Sequence, residues 1–301
     1  MADKESDFRF GYVALVGKPN VGKSTLLNQF IGQKISIVTR KPQTTRQRIL
    51  GIKTIDRGQI VYVDTPGIHQ AANKALNRYM NRVAFAVLRD IDVVAFLVEA
   101  GRWTDADERV RNAVFKTGRP VFLVVNKIDE VNDKGSLLPF VKKISDQQPF
   151  AGTFMISALK GHGVPDLEQA IFDSLPFSQP FYDQDQITDR SERFLAAELI
   201  REQLTVRLHQ ELPYTLSVTI ESFNRDKKLL RISAIIWVER EGQKQIVIGR
   251  KGEVLKQVGA EARQALQELL GEQVFLQLWV KVKRGWTDSE AALSRMGFDY
   301  P

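Results

Sequence analysis

GKPNVGKS, residues Gly17 to Ser24, decides how the rest of this 301-residue chain is read. Its spacing is Gly, four residues, Gly, Lys, Ser. It follows the strand-like apolar run Tyr12 to Val16 and precedes Thr25 to Gly32, a helix-length segment. Gly17 and Gly22 let the main chain wrap closely around phosphate oxygens. The N–H groups of Asn20, Val21, Gly22, Lys23, Ser24 and Thr25, at a loop and helix start, then face negative charge. Lys23 is expected to reach the β- and γ-phosphates of a nucleotide, and the Ser24 hydroxyl to ligate Mg²⁺.

Around this loop, strand-like runs alternate with amphipathic segments. Tyr12 to Val16, Ile60 to Val63, Val93 to Val98, Val121 to Val125 and Thr153 to Ile156 are mostly continuous apolar runs, which requires both faces of a sheet to be covered. Lys74 to Arg89, Asp105 to Thr117, Lys134 to Gln148 and Pro165 to Leu175 read as the covering helices. The expected fold is an α/β domain with a mostly parallel sheet and helices on both faces, followed by a smaller α+β domain. Ligand-binding motifs belong at the strand ends of such a sheet.

Two motifs stand there. Asp64 to Gly67, DTPG, follows Ile60 to Val63; Asp64 is placed to hold Mg²⁺ through its shell, and the Gly67 N–H to bond a γ-phosphate. Asn126 to Asp129, NKID, follows Val121 to Val125. An ionised Asp129 accepts two hydrogen bonds from the N1–H and N2–H₂ of guanine, a donor pair that adenine lacks. Asn126 is expected to tie this loop to the phosphate loop, and the Lys127 stem to pack on the base. Ser157 and Ala158 come after the last strand, with the Ala158 N–H available to guanine O6. Lys34 to Arg48 has little periodicity and reads as a mobile loop. Either Thr44 or Thr45 supplies a second hydroxyl to Mg²⁺ in the triphosphate state, Thr45 being preferred. The catalytic set is therefore Lys23, Thr45, Asp64 and Gly67, with Mg²⁺ on Ser24, Thr45 and Asp64.

From Ser174 to Asp189 prolines and acids mark a linker, so the expected domains are 1–175, a linker at 176–189 and 190–301. Beyond it a helix over Phe194 to Leu208, strands over Tyr214 to Phe223 and Leu229 to Val238 with a turn at Arg225 to Lys228, the tetrapeptide Gly249, Arg250, Lys251, Gly252, a helix to Leu270 and a strand over Val274 to Val282 succeed one another. Glycines at both ends let a loop approach a nucleic-acid backbone; Ile248 opens the adjoining apolar groove, and Lys256, Arg225, Lys227 and Lys283 add charge. Trp237 and Trp286 could stack on bases, although an aromatic at a strand position is more often core.

Composition bounds the rest. The net charge is +7, yet residues 181–301 hold 18 basic and 18 acidic side chains, so a polyanion site there depends on local clustering. Without cysteine there are no disulfides or thiolate metal sites. No apolar run nears the ~18 residues that cross a bilayer, and MADKESDFRF reads as neither a signal nor a transit peptide.

GKPNVGKS, TTR, DTPG, NKID and SAL, in this order and each beside a strand, resemble the translation-factor-related GTPases. The combination of TTR with GKPNVGKS is most similar to the Era branch, whose members end in a KH RNA-binding domain like the GRKG region here. The resemblance implies hydrolysis of GTP to GDP, binding to the 3′ region of small-subunit (16S) rRNA and a part in 30S assembly. It also implies a cytoplasmic, monomeric protein with some peripheral association with the inner membrane. It implies that Asn20 can help hold a K⁺ ion, and that Ile68, where Ras-type proteins carry a water-orienting Gln, leaves unassisted turnover slow. Two rivals stand beside this reading: a non-catalytic nucleotide-gated RNA scaffold and a membrane-associated regulatory GTPase.

Overall fold

Nine strands and nine α-helices form among the described residues of the computed structural model, which are 7–67, 74–209 and 211–298. The expectations for the amino-terminal segment up to residue 6 and for Ile68 lie outside them. Chain contacts divide the molecule into two units. The first holds the described parts of Met1–Ser36, Thr45–Gln70 and Met80–Asp189; the second holds those of Ile37–Thr44, Ala71–Tyr79 and Arg190–Pro301.

In the first unit the strands are β1 (Arg9–Val16), β2 (Ile49–Ile55), β3 (Gly58–Asp64), β4 (Val93–Glu99), β5 (Val121–Asn126) and β6 (Gly152–Met155), arranged β2-β3-β1-β4-β5-β6. All neighbours are parallel except the antiparallel pair β2 and β3. Helices α1 (Lys23–Ile31), α3 (Asp105–Phe115), α4 (Leu137–Ser145) and α5 (Val164–Asp173) connect or follow them; α2 (Ala75–Val87) lies between β3 and β4 in the chain. Val94, Phe96 and Val98 pack with Val110 and Val114 of α3 and Ile144 of α4 in one core. On the other side Phe30 of α1 stacks on Tyr62 at 4.2 Å. With both faces covered, β4 is buried from Val93 to Val98, and each Val, Leu or Phe side chain there contributes about 1.5–3 kcal/mol of burial.

Strand β2 breaks the parallel pattern and was not among the expected strands. Its sequence, ILGIKTI, follows a basic stretch, and only the two-residue connection to β3 fixes its direction. Residues 176–189, linker-like by composition, are hydrogen-bonded along the first unit. Phe10 N–H donates to the Pro176 carbonyl (3.2 Å), Ile52 N–H to that of Ile187 (2.8 Å), and the Gln59 side chain accepts from the N–H groups of Phe181 and Tyr182.

The second unit is built on β7 (Ser217–Asp226), β8 (Leu229–Val238) and β9 (Gln273–Val282), ordered β7-β8-β9, with β7 and β8 antiparallel and β8 and β9 parallel. Helices α6 (Glu192–Arg207), α7 (Glu241–Ile248) and α8 (Glu253–Leu270) cover one face, where Ala234, Ile236 and Val238 meet Ile200, Val247 and Val258. α9 (Glu290–Arg295) closes the described chain. Helix α7 was not foreseen, and the hairpin turn is shorter than expected because β7 runs through Arg225 to Asp226. Trp286 is fully buried in a short helical turn, donating its indole N–H to the Thr215 carbonyl at 3.2 Å. Trp237 is half-buried on β8.

Candidate functional site

The carboxyl ends of β1, β3, β5 and β6 lie along one edge of the first sheet, because these strands run parallel. GKPNVGKS, DTPG, NKID and Ser157–Ala158 each leave one of those ends, so the topology alone brings four motifs from distant parts of the chain to one rim.

In the loop after β1, Gly22 has φ 101° and caps the start of α1, whose N-terminal N–H groups supply positive partial charge. A Cβ on Gly22 would stand 2.2 Å from Asn126 Nδ2, so only glycine fits there. Gly17 is packed as tightly, its missing Cβ 2.5 Å from the Leu97 carbonyl oxygen. Lys23 is buried and donates to the carbonyls of Gly17 and Lys18, each at 3.1 Å; burial pushes its ammonium down to about 8, against a pull upward from Asp64. Lys18, in the same loop, forms a buried 2.8 Å ion pair with Asp107, which also caps the start of α3 by accepting from the Thr104 N–H and hydroxyl.

Three hydroxyls converge on Asp64 Oδ2: Ser24 at 2.7 Å, Ser36 at 3.0 Å and Thr45 at 3.3 Å, with Ser24 and Thr45 2.8 Å apart. Asp64 is fully buried. Burial raises its pKa, and Lys23 and the three hydroxyls draw it back down. Its other oxygen, Oδ1, is buried with no hydrogen-bond partner among the described residues. Thr44 points elsewhere, its hydroxyl on the Lys41 carbonyl (2.6 Å) and beside Thr39 (2.7 Å). Gly67 lies against the phosphate loop, where a Cβ would meet Pro19 at 2.7–2.9 Å.

In the NKID loop, Asn126 donates through Nδ2 to the Val21 carbonyl (2.8 Å) and accepts through Oδ1 from the Ala158 N–H (2.9 Å). The Ala158 amide is therefore already engaged, where the sequence reading left it to guanine O6. Asp129 is partly exposed and accepts from the Ser157 hydroxyl, which holds its carboxyl below the ordinary range; Lys160 and His162 add to the same direction. Lys127 takes φ 67° and its ammonium meets Glu99 at 3.4 Å. Asn20, with φ 64°, is exposed on the phosphate loop.

Sequence reasoning missed Ser36 and the residue that places it. Asn28 of α1 accepts through Oδ1 from the N–H groups of Ile35 (3.0 Å) and Ser36 (2.9 Å) and donates to the Ser36 carbonyl (2.7 Å). The expected mobile loop is thus pinned at its start. Ile37–Thr44 then belongs to the second unit, where Val38 N–H donates to Glu202 (2.9 Å), Lys41 to the carbonyls of Thr205 and Leu208 at the end of α6, and Arg201 to the Thr44 carbonyl. The signal was present as Lys41, a cation suited to the open carbonyls at a helix C-terminus, but nothing in the sequence paired it with α6.

In the second unit, Gly249 (φ 75°) and Gly252 (φ 79°) flank exposed Arg250 and Lys251 between α7 and α8, with Ile248 half-buried beside them and Lys256 exposed one turn into α8. Arg225 and Lys227 do not join this cluster. They stand at the β7–β8 hairpin end, whereas α7 departs from the opposite end of β8, ten residues of strand or roughly 33 Å away. Arg225 is moreover held by Glu272 (2.8 Å) and Glu192 (3.1 Å). Lys283 lies beyond β9, its ammonium 5.8 Å over the Trp237 ring.

A family model described as a 50S ribosome-binding GTPase matches residues 12–127, and a KH domain model matches residues 211–287. GTPase Era of Azotobacter vinelandii is 52% identical over 98% of this chain and 98% of its own length. The chain belongs to the Era family of GTPases. Among solved structures, Era in complex with MgGDPNP and nucleotides 1506–1542 of 16S ribosomal RNA matches with TM-score 0.93 and 39% identity, over 97% of this chain and 99% of that one. An Aquifex aeolicus Era variant bound to GDP·AlF4⁻ matches with TM-score 0.93 and 38% identity, over 96% and 99%. Family membership carries GTPase activity and the pairing of a G domain with a KH domain to this chain. No described helix is long and apolar enough to cross a membrane.

Proposed function

We propose that this chain is a GTP-hydrolysing switch that binds the 3′ region of 16S rRNA through its KH unit and assists 30S subunit assembly in the cytoplasm. The observation that carries the reading is the convergence of Ser24, Ser36 and Thr45 on Asp64 beside Lys23, with Asn126 joining that phosphate site to the loop bearing Asp129. One solved relative, an Era protein, holds MgGDPNP together with 16S rRNA nucleotides 1506–1542. The functional division we assign is a nucleotide-binding part at 1–175, a connection at 176–189 and an RNA-binding part at 190–301.

The donor set suits Mg²⁺: hard oxygen atoms only, and a buried carboxylate oxygen with no hydrogen-bond partner among the described residues. Ser24, Thr45 and Asp64 would hold it. A Mg²⁺ ion held there would supply positive charge against the phosphate oxygens of a bound nucleotide. The chain's own groups do the remainder. Loop amides from Asn20 to Thr25 and the Lys23 ammonium hold the phosphates, the Gly67 N–H reaches the γ-phosphate, Asn126 fixes the distance between phosphate loop and base loop, and Asp129 reads guanine. Phosphate release should need Mg²⁺ and fall at least a hundredfold in Asp64→Ala; an unchanged rate would remove this assignment. The same assay with and without K⁺ tests Asn20 as a monovalent-ion ligand.

Lys23 gives a pH prediction. Burial holds its ammonium near 8; a triphosphate beside it favours the charged form, so binding takes up a proton. Nucleotide affinity should therefore weaken as pH rises through about 8, by up to tenfold per unit. For folding without nucleotide the sign is opposite: between 8 and the ordinary lysine value the unfolded chain binds more protons, so this group's burial cost lessens as pH rises. Calorimetry in buffers of different protonation enthalpy measures the uptake, and heats independent of buffer would contradict it.

Nucleotide state and RNA affinity are coupled in this reading. Thr45, on the Asp64 cluster, is the next residue after a segment whose contacts belong to the KH unit. RNA affinity should differ between the GDPNP and GDP forms, and Lys41→Met, which releases the carbonyls at the end of α6, should shrink that difference. Equal affinity in both forms of the unaltered protein would rule the coupling out.

A further inference from the structure

Strand side chains alternate between faces, and in the KH unit the helices use only one. Ala234, Ile236 and Val238 point to α6, α7 and α8, while Arg231, Ser233, Ile235 and Trp237 point away from them. On neighbouring β9 the same outward set is Phe275, Gln277, Trp279 and Lys281. This outer face is unusually aromatic for an exposed sheet: Phe275 is 46% and Trp279 53% exposed. Isolated apolar groups on a surface are ordinary, but here two large rings share one strand face with a third, Trp237, on the next strand.

Cations accompany the rings. The Arg231 guanidinium lies 5.5 Å over Phe275, its cross-strand partner, and Lys283 lies 5.8 Å over Trp237. Lys281 continues the β9 row, with Glu221 as an acid neighbour at 3.8 Å. Phe275 and Trp279 are four residues apart, roughly 13 Å along an edge strand, a span that extended single-stranded nucleic acid covers in about two nucleotide steps. Rings spaced along a strand with cations beside them form the kind of surface on which unpaired bases stack and phosphates are neutralised. A hydrophobic protein partner would leave the row of cations unmatched; a polyanion carrying planar bases matches both components.

We propose that this outer face, centred on Phe275 and Trp279, is a second RNA-contacting surface, on the side of the KH sheet opposite the GRKG loop, and that it stacks unpaired bases. The inference rests on the RNA-binding reading above and adds to it: one RNA strand, or two segments of one RNA, would meet both faces of the domain. Neither ring lies in the nucleotide site, so hydrolysis without RNA should be unaffected by changing them.

The test uses the full chain in its GDPNP form and the labelled 16S fragment 1506–1542. The double variant Phe275→Ala/Trp279→Ala should lose about tenfold or more in affinity. Trp279→Phe, which keeps a ring, should stay within about threefold of the unaltered protein, and ultraviolet crosslinks in the unaltered protein should map to the β9 peptide. If the double variant does not fold, the crosslink map and Trp279→Phe decide. RNA binding equal to the unaltered protein in the double variant, with Lys251→Glu in the GRKG loop weakened, would overturn this inference and leave the proposed function standing. Failure of the unaltered protein to bind the fragment would instead overturn the RNA-binding reading itself. Normal RNA binding with loss of co-sedimentation with 30S subunits would assign the face to a protein partner and reject it as an RNA surface.

Discussion

Asp129→Asn should turn GTP into a poor ligand and xanthosine triphosphate into a good one. The carboxylate of Asp129 is held ionised by the Ser157 hydroxyl, with Lys160 and His162 acting in the same direction. Ser157 is itself fully buried, so the carboxylate has a fixed neighbour on its protein side and a partly open edge toward a base. Two charge-assisted hydrogen bonds at about 1.5–3 kcal/mol each make the loss of GTP affinity roughly a thousandfold. An asparagine amide offers one donor and one acceptor, which suits the carbonyl that xanthine carries in place of the guanine amino group. Competition binding with both nucleotides measures the exchange, and a variant that still prefers GTP would show that NKID is not the base-reading loop.

Gly22→Ala should abolish measurable nucleotide binding while leaving a folded protein. Two costs combine. The backbone at φ 101° is one that alanine adopts only with strain of about 1–3 kcal/mol. The new methyl would also lie 2.2 Å from Asn126 Nδ2, and moving Asn126 breaks its bonds to Val21 and Ala158 together. Gly118→Ala separates the two costs. Gly118 has φ 67° but nothing within 4 Å of where its Cβ would stand, so that variant should lower the melting temperature slightly and bind nucleotide normally. Nucleotide affinity in Gly22→Ala equal to that in Gly118→Ala would show that displacing Asn126 leaves the site intact.

The sheet of the first unit was legible because its strands are buried on both faces and read as unbroken apolar runs; β4 is VVAFLVE. The motif order then implied a shared rim for the candidate residues, since parallel strands put their carboxyl ends on one edge. What escaped reading depends on partners far apart in sequence. Nothing in ILGIKTI distinguishes an antiparallel edge strand from a parallel one. Ser36 is placed by Asn28 and Asp64, and Ile37–Thr44 is tied to α6, far from it in sequence. Helix α7 is eight residues with charged and apolar positions mixed, too short for a period to declare itself. Arg225 and Lys227 form a basic cluster of their own in the sequence, and the sheet places it at the β7–β8 hairpin end.

Lys18 turns its charge toward the protein interior. It belongs to the phosphate loop, yet its ammonium is taken up by Asp107, and Lys23 and the main chain are left to attract a ligand. In a chain of net charge +7, such restraint has a use. A cleft rich in unmatched cations would fill with stray backbone phosphates from any nearby polymer. With Lys18 neutralised by Asp107, the loop offers a long polyanion less to hold than one presenting two bare ammonium groups.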